Sequence, residues 1–279
     1  MKILITNDDG YKARGLEALI EIMRPFGEVT IVAPKYHQSG MSMAISLGFK
    51  RIAVKQVAPD RWYLDGTPAS CVKFGIDNIL LGDKRPDVVV CGINHGSNAA
   101  TASLYSGTLG AAQEAAVNGI IGIGVSLDDF SPDGDFSAIK AIFPGIFKKI
   151  MTDHPHRKGV YYNINFPKAS LAEIKGVKVA GLGRIHWEEE YQAFDPDIYR
   201  KRGIYLQDMG IFNMEEPEEG EDLYMMTGYA VENEGNDDMS DHRLIKDGYV
   251  AVVAHNIYNQ DFEESDRLRA LDLEDLHRQ

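Results

Sequence analysis

The first thirty-four residues constrain the fold more than any other stretch of the chain. A short apolar run, Lys2-Ile3-Leu4-Ile5-Thr6, stops at Asn7-Asp8-Asp9-Gly10 and reads as a buried strand ending in a turn. Leu16, Leu19, Ile20 and Met23 then recur at i, i+3, i+4 and i+7, one face of a helix that Pro25 and Gly27 end. Residues 28–33 form a second apolar run, closed by Pro34. Strand, helix and strand in so short a span make a βαβ unit, whose strands run parallel.

The alternation continues. Residues 51–57 and 61–65 read as two short strands that pair with each other. Thr67 suits an N-cap and Pro68 the first helical position, ahead of the apolar face Val72, Ile76, Ile79 and Leu80. Residues 87–91 form a third buried strand. A helix of small residues follows over 108–118, then a strand over 120–127. Helical spacing over 136–151 contains Pro144, which is expected to kink or split that helix. A strand over 161–166 closes at Pro167. The fold class is therefore α/β, a mostly parallel sheet flanked by helices, with a core expected over residues 1–180.

From about residue 181 the pattern changes. Residues 183–209 carry charge and aromatics without helical spacing and read as a long β-hairpin, with Asp195-Pro196-Asp197 as its bend. Residues 215–222 and 232–241 are acidic and read as solvated. A late strand spans 249–254, and the charged tail from 263 reads as helical or frayed. Residues 181–279 are expected to form a C-terminal hairpin, late strand and tail that serve oligomerisation.

Charge narrows the function classes. With 29 basic and 42 acidic residues the chain carries a net charge of −13 and shows no basic stretch interleaved with aromatics. Such a chain repels a long polyanion, so a nucleic-acid polymer is not the expected partner. A small phosphate ester stays compatible, because one cation reverses the local potential. Cys71 and Cys91 both lie in apolar runs and read as buried, reduced thiols, not a disulfide framework. No apolar run approaches the ~20 residues of a membrane span, and the N-terminal run is too short for a secretory leader. The expectation is a cytoplasmic protein without a membrane partner.

Three polar clusters each follow a buried strand closely: Asn7-Asp8-Asp9-Gly10, His37-Gln38-Ser39-Gly40 and Asn94-His95-Gly96-Ser97-Asn98. Parallel strands point one way, so these loops gather at one sheet edge, where open α/β sheets bind ligands. Adjacent carboxylates at Asp8 and Asp9 repel each other unless a cation is present. Two carboxylates, a hydroxyl and an amide carbonyl form a hard oxygen set suited to Mg²⁺ or Mn²⁺. Turn chemistry alone accounts for Asn-Asp-Asp-Gly equally well. Tyr105-Ser106-Gly107-Thr108 opens the small-residue helix, whose free N–H groups attract an anion. A plain N-cap at Ser106 explains that turn by itself, but beside a metal it makes a phosphate cradle with Asn98, Ser106, Gly107 and Thr108. His37 and His95 read as site-edge residues facing substrate or solvent, and two histidines make no zinc signature. His154 and His156 read as surface, and Gly181-Leu182-Gly183 lacks the third glycine of a dinucleotide fingerprint.

These motifs, in this order, resemble the SurE family of survival-protein nucleotidases. The resemblance rests on Ile5-Thr6-Asn7-Asp8-Asp9-Gly10, Val32-Ala33-Pro34 followed by Ser39-Gly40-Met41-Ser42, Gly66-Thr67-Pro68, Gly92-Ile93-Asn94-His95-Gly96-Ser97-Asn98 and Tyr105-Ser106-Gly107-Thr108. It covers residues 1–130 well and continues more loosely to about 180. It implies a Rossmann-like core and a divalent-metal phosphatase acting on nucleoside 5′- or 3′-monophosphates. Asp8, Asp9, Ser39 and Asn94 take the positions of the metal ligands, with one Mg²⁺ or Mn²⁺ per subunit, and Asp8 and Asp9 carry catalysis. It also implies a homodimer or homotetramer with the C-terminal hairpin reaching a neighbour. After Gly66-Thr67-Pro68 this chain has Ala69-Ser70-Cys71 where the family often carries an acidic residue before cysteine. Two other readings are open: a non-catalytic nucleotide-sensing module, and a phosphatase with a nucleophilic aspartate. Adjacent Asp8 and Asp9 fit the latter poorly, since it begins Asp-x-Asp after its strand.

Overall fold

The computed structural model describes residues 1–46, 51–131, 133–152, 157–195, 197 and 218–270. The alternating apolar runs become strands and helices in the expected order. The strands are β1 (Lys2–Thr6), β2 (Glu28–Pro34), β3 (Val54–Ala58), β4 (Arg61–Leu64), β5 (Val88–His95), β6 (Ile121–Leu127), β7 (Val160–Phe166) and β8 (Gly176–Val179), then β9 (Ile185–Glu188), β10 (Tyr191–Ala193), β11 (Tyr224–Met226), β12 (Tyr229–Glu232) and β13 (Tyr249–Asn256). The helices are α1 (Arg14–Met23), α2 (Pro68–Phe74), α3 (Gly107–Val117), α4 (Ser137–Thr152), α5 (Asp241–Lys246) and α6 (Phe262–Arg269).

One sheet of nine strands, ordered β3-β4-β2-β1-β5-β6-β7-β13-β8, forms the centre. The six strands from β4 to β7 are mutually parallel, β3 pairs antiparallel with β4, and β13 pairs antiparallel with β7 and parallel with β8. Side-chain alternation divides the core in two. Ile3, Ile5, Val88 and Val90 face α1 and α4, packing on Leu16, Leu19, Ile139, Phe143 and Phe147. Leu4, Val89 and Cys91 face α2 and α3, against Cys71, Val72, Leu109 and Ala112. Each such fully buried Leu, Ile or Phe contributes about 1.5–3 kcal/mol.

Helix placement fixes the crossover hands. From β1 the chain steps to β2 in one direction with α1 on the first face, and from β5 to β6 in the other direction with α3 on the second. These two connections share one hand, as parallel crossovers nearly always do. α4 lies on the α1 face yet steps in the β5-to-β6 direction, so β6–α4–β7 has the opposite hand.

Three sequence expectations change. Of the kink or split expected at Pro144, the split does not occur: α4 is one helix from Ser137 to Thr152. The carbonyl that Pro144 leaves without a donor belongs to Lys140, on the exposed side of the helix. The long hairpin expected within 183–209 begins as such, but its second strand comes from further on. β9 pairs with β12 and β10 with β11, so 185–193 is zipped to 224–232. The rest of that expectation, residues 198–209, lies outside the described residues, as do His154, Pro196, His156 and the tail beyond 270. Third, the 232–241 segment is not uniformly solvated: Ser240 and Asp241 are buried. The late strand, β13, sits inside the main sheet between β7 and β8.

Candidate active site

β1 is hydrogen-bonded to β2 on one side and β5 on the other, so the chain reverses its direction of travel across the sheet there. A crevice opens at such a switch point beyond the carboxyl ends of the strands. The polar clusters after β1, β2 and β5 therefore stand side by side, as the sequence predicts. Gln38 N donates to the Asp8 carbonyl over 2.7 Å and joins the first loop to the second.

Asp8 is 3% exposed and turns toward the start of α3. Thr108 Oγ1 donates to Asp8 Oδ1 over 2.6 Å and Thr108 N to Oδ2 over 3.2 Å. Gly107 makes this approach possible: a Cβ there would stand 2.9 Å from the Gln38 carbonyl oxygen and 3.0 Å from Asp8 Cβ. The positive end of α3 is thus aimed at a carboxylate of the chain itself. Ser106 Oγ accepts from Leu109 N over 3.0 Å and is an N-cap, leaving its hydroxyl hydrogen to donate elsewhere. Burial first, and the neighbouring charge of Asp9 second, push the Asp8 carboxyl up to about 7 against the pull of Thr108.

Asp9 lies between two imidazoles. His95 Nδ1 donates to Asp9 Oδ2 over 3.1 Å, and His37 Nδ1 stands 3.6 Å from Oδ1. The two histidines face Asp9, where the sequence had them facing substrate or solvent. Burial lowers the His95 pKa, but the Asp9 hydrogen bond and the charges of Asp9, Asp8 and Asp129 raise it further, for a net upward shift. His37 shifts down: burial and His95 outweigh Asp9.

Asn94 is the last residue but one of β5, just past a register shift against β6 that lies between Cys91 and Asn94. Gly92 sits in that shift at φ +131°, where a Cβ would meet the Val125 carbonyl oxygen at 2.3 Å. Asn94 is buried and spends its Nδ2 on the Gly96 carbonyl at 2.8 Å, which leaves its Oδ1 as the available end. Ser39 is exposed at the rim, directly after Gln38. Its loop lies on the approach to α3, with Ser42 N donating to Tyr105 O over 3.0 Å and Ser42 Oγ to Leu104 O over 2.9 Å.

Asn98 is held by amides that the sequence reading did not single out. Its Nδ2 donates to Ser126 Oγ (2.9 Å), its N to Asn165 Oδ1 (2.8 Å), and its carbonyl accepts from Asn163 Nδ2 (2.8 Å). Asn165 Nδ2 donates to Asn163 Oδ1 over 2.9 Å, closing the network. The signal was present: two amides at i and i+2 in the apolar run 161–166 share one face of a buried strand and need partners. Asp241 was also missed. It is fully buried and accepts from Ala100 N at 2.9 Å and Gly183 N at 3.0 Å, tying α5 and the base of the ribbon to the loop after Asn98. The acidic composition around it concealed this role.

Among the described residues no three of His, Cys, Asp and Glu gather as a metal-holding group. The set expected from sequence has only Asp8 and Asp9 of those types and completes with a hydroxyl and an amide. Both cysteines are buried and unpaired, and burial pushes both thiols up.

The chain matches known proteins over most of its length. The model of a family described as Survival protein SurE matches residues 3–189. A protein named 5'-nucleotidase SurE from Christiangramia forsetii is 38% identical over 257 residues, 90% of this chain and 89% of that one. Its namesake from Cytophaga hutchinsonii is 39% identical over 248 residues, 87% and 93% of the two chains. The crystal structure of a SurE protein from Aquifex aeolicus superposes with a TM-score of 0.75 at 27% identity, over 98% of this chain and all of that one. Family model, near full-length relatives and common fold agree with the loops gathered beyond β1, β2 and β5: the chain belongs to the SurE family.

Proposed function

We propose that this chain is a metal-dependent 5'-nucleotidase, hydrolysing the phosphate monoester of nucleoside monophosphates. The observation that carries the reading is the adjacent pair Asp8–Asp9 in the β1/β5 crevice, with the start of α3 against it. Among the described residues neither carboxylate is paired with a lysine or arginine. Burial and mutual repulsion raise the Asp8 proton affinity, a condition that a bound cation relieves. Asp8, Asp9, Asn94 and Ser39 offer only oxygen, which fits Mg²⁺ or Mn²⁺, one per subunit. When bound, the cation supplies Lewis-acid chemistry, drawing charge from phosphoryl oxygens and acidifying water.

The chain's own groups do the rest. Asp8 and Asp9 would seat the cation, and one of the two carboxylates takes the proton that the attacking water sheds. His37 and His95 orient Asp9. Asn98, Ser106 and Gly107 donate to phosphate oxygens and stabilise charge as the ester bond breaks, while Thr108, expected from sequence beside them, gives both its N–H and its hydroxyl to Asp8 and holds that carboxylate instead. Asn98 has one Nδ2 hydrogen left after Ser126, and its network fixes where that hydrogen points.

Residues 1–180 together with β13, which lies in their sheet between β7 and β8, form the phosphatase part of this proposal, and the rest of 181–279 the assembly part, so the boundary expected at 180 does not divide the core. The ribbon of β9 to β12 exposes Tyr191, Tyr224, Met226 and Tyr229, a surface suited to a second copy in a homodimer or homotetramer. No described helix is long and apolar enough to cross a membrane. Unpaired Cys71 and Cys91 fit a reducing compartment, and the cytoplasm is the proposed location.

The test is phosphate release from a panel of nucleoside 5′- and 3′-monophosphates and an aryl phosphate, each with Mg²⁺, Mn²⁺, Zn²⁺ or EDTA. Metal-dependent release, greatest on nucleotides and abolished by EDTA, is expected. Folded protein that releases no phosphate with any metal refutes the reading.

A further inference from the structure

Phe130 is 66% exposed, the most solvent-accessible phenylalanine but one among the described residues. A lone exposed aromatic is ordinary on a protein surface. This one is distinguished by what fixes it and where. Its ring lies on the backbone of Gly96, where a Cβ would meet ring carbons at 2.4 and 2.9 Å. Gly96, at φ +99°, thus gives the ring a flat backbone bed that no other residue type leaves open. The loop carrying Phe130 is anchored to the same glycine: Gly96 N donates to Leu127 O over 2.8 Å and Asp129 O over 3.1 Å. Asp129 is held in turn by Ser131 N at 3.0 Å and Lys168 Nζ at 2.9 Å.

The bed belongs to the site. Gly96 follows His95, which donates to Asp9, and its carbonyl accepts from Asn94 Nδ2. It also stands two residues before Asn98. One side of the Phe130 ring is therefore seated on the loop that bears Asn94 and Asn98, and the rest is open to solvent at the rim of the crevice.

We propose that Phe130 is a specificity-determining residue, the platform on which the base of a nucleoside monophosphate stacks while its phosphate occupies the carboxylate end of the crevice. This rests on the nucleotidase reading and deepens it. Stacking on a π-face requires no hydrogen-bond readout, so purine and pyrimidine nucleotides are both accepted and base discrimination is shallow. The ring stays in place without substrate because Gly96 and the Asp129–Lys168 pair fix its loop, which lowers the ordering cost of binding.

The experiment compares a nucleoside 5′-monophosphate with ribose 5-phosphate, the same ester without its base, in wild type, Phe130→Ala and Phe130→Trp, with Mn²⁺ present. In Phe130→Ala the ratio of kcat/KM for nucleotide over ribose 5-phosphate is expected to fall roughly 5- to 100-fold, mostly through KM. Phe130→Trp restores the ratio. Elution volume on size exclusion stays at the wild-type value, since the residue serves substrate and not assembly. A ratio that survives Phe130→Ala in an active enzyme overturns this inference alone and leaves the nucleotidase reading standing. So does equal loss on both esters together with a changed elution volume, which would make Phe130 a contact between copies. Wild-type protein that hydrolyses neither ester removes the nucleotidase reading and this inference with it.

Discussion

Replacing Asp8 by Asn should make the metal-free protein more stable, not less. The Asp8 carboxyl is buried beside Asp9, and its pKa lies near 7 against an ordinary 3.8. Between those values the metal-free fold holds a proton that the unfolded chain has released. Stability therefore falls as pH rises from about 4 to about 7 and levels off above. At about 1.4 kcal/mol per pH unit the fall amounts to roughly 4 kcal/mol at most. An amide has no charge to bury at any pH. Its oxygen can face Thr108 N and its NH₂ the Thr108 hydroxyl, which turns from donor to acceptor, so both contacts of the carboxylate survive.

The expected gain for Asp8→Asn in EDTA at pH 8 is about 2–4 kcal/mol, or roughly 3–7 °C in Tm for a chain of this size. At pH 5, only about one unit above the unfolded pKa, the gap should shrink to roughly 1.5 kcal/mol, or about 3 °C. Mn²⁺ should raise the wild-type Tm at pH 8 and barely move the variant, because the ligand has lost its charge. Calorimetric or circular-dichroism melts at both pH values, with EDTA or Mn²⁺, supply all the comparisons. A variant that melts at or below wild type at pH 8 in EDTA, or gains as much from Mn²⁺, would show that Asp8 is neither a buried charge nor a ligand.

Three further substitutions probe the rest of the site. Asp9→Asn should lower turnover by more than about 100-fold with the circular-dichroism spectrum unchanged; near-normal phosphate release at saturating Mn²⁺ would sink its assignment. Gly107→Ala places a methyl 2.9 Å from Gln38 O and 3.1 Å from Asp8 Oδ2, so it should cost about 1–3 kcal/mol in denaturant melts and weaken Mn²⁺ binding measured by calorimetry. Asp241→Ala strips the partners from Ala100 N and Gly183 N; a loss of about 2–5 kcal/mol is expected, and KM should rise more than kcat falls, as the Asn98 loop loosens.

The carboxylate end of the site was legible because it depends on local sequence. A strand that stops at Asn7-Asp8-Asp9-Gly10 and a strand that stops at Pro34 each declare where their loop begins, and parallel pairing alone brings those loops together. Thr108 was legible through its place at a helix start. The partners of these residues depended on tertiary packing, which periodicity does not encode. That Thr108 grips Asp8, that both histidines turn to Asp9, and that Asn163 and Asn165 hold Asn98 follow from strands adjacent in space and distant in sequence. The ribbon shows the same limit. The strand over 185–193 looked extended, but its partner lies past residue 223, and an antiparallel pair with so long a connection leaves no turn signature to read.

The neutral lining of the crevice has a consequence for how anions bind. Asp8 and Asp9 are acidic, and Asn94, Asn98, Asn163, Asn165, Ser126 and Thr108 are neutral amides and hydroxyls. No lysine or arginine is hydrogen-bonded to any of these among the described residues. A phosphate dianion approaching two carboxylates is repelled, and the helix dipole of α3, already engaged by Asp8, offsets only part of that. On the proposed function that positive charge comes from a cation at Asp8 and Asp9, so cation and nucleotide affinities are linked and each raises the other by the same factor. Calorimetric titration of nucleotide with EDTA and with Mn²⁺ should show this as a loss of binding without the metal. Unchanged nucleotide affinity in EDTA would mean that the site attracts phosphate by its own dipoles, and that Asp8 and Asp9 face away from it.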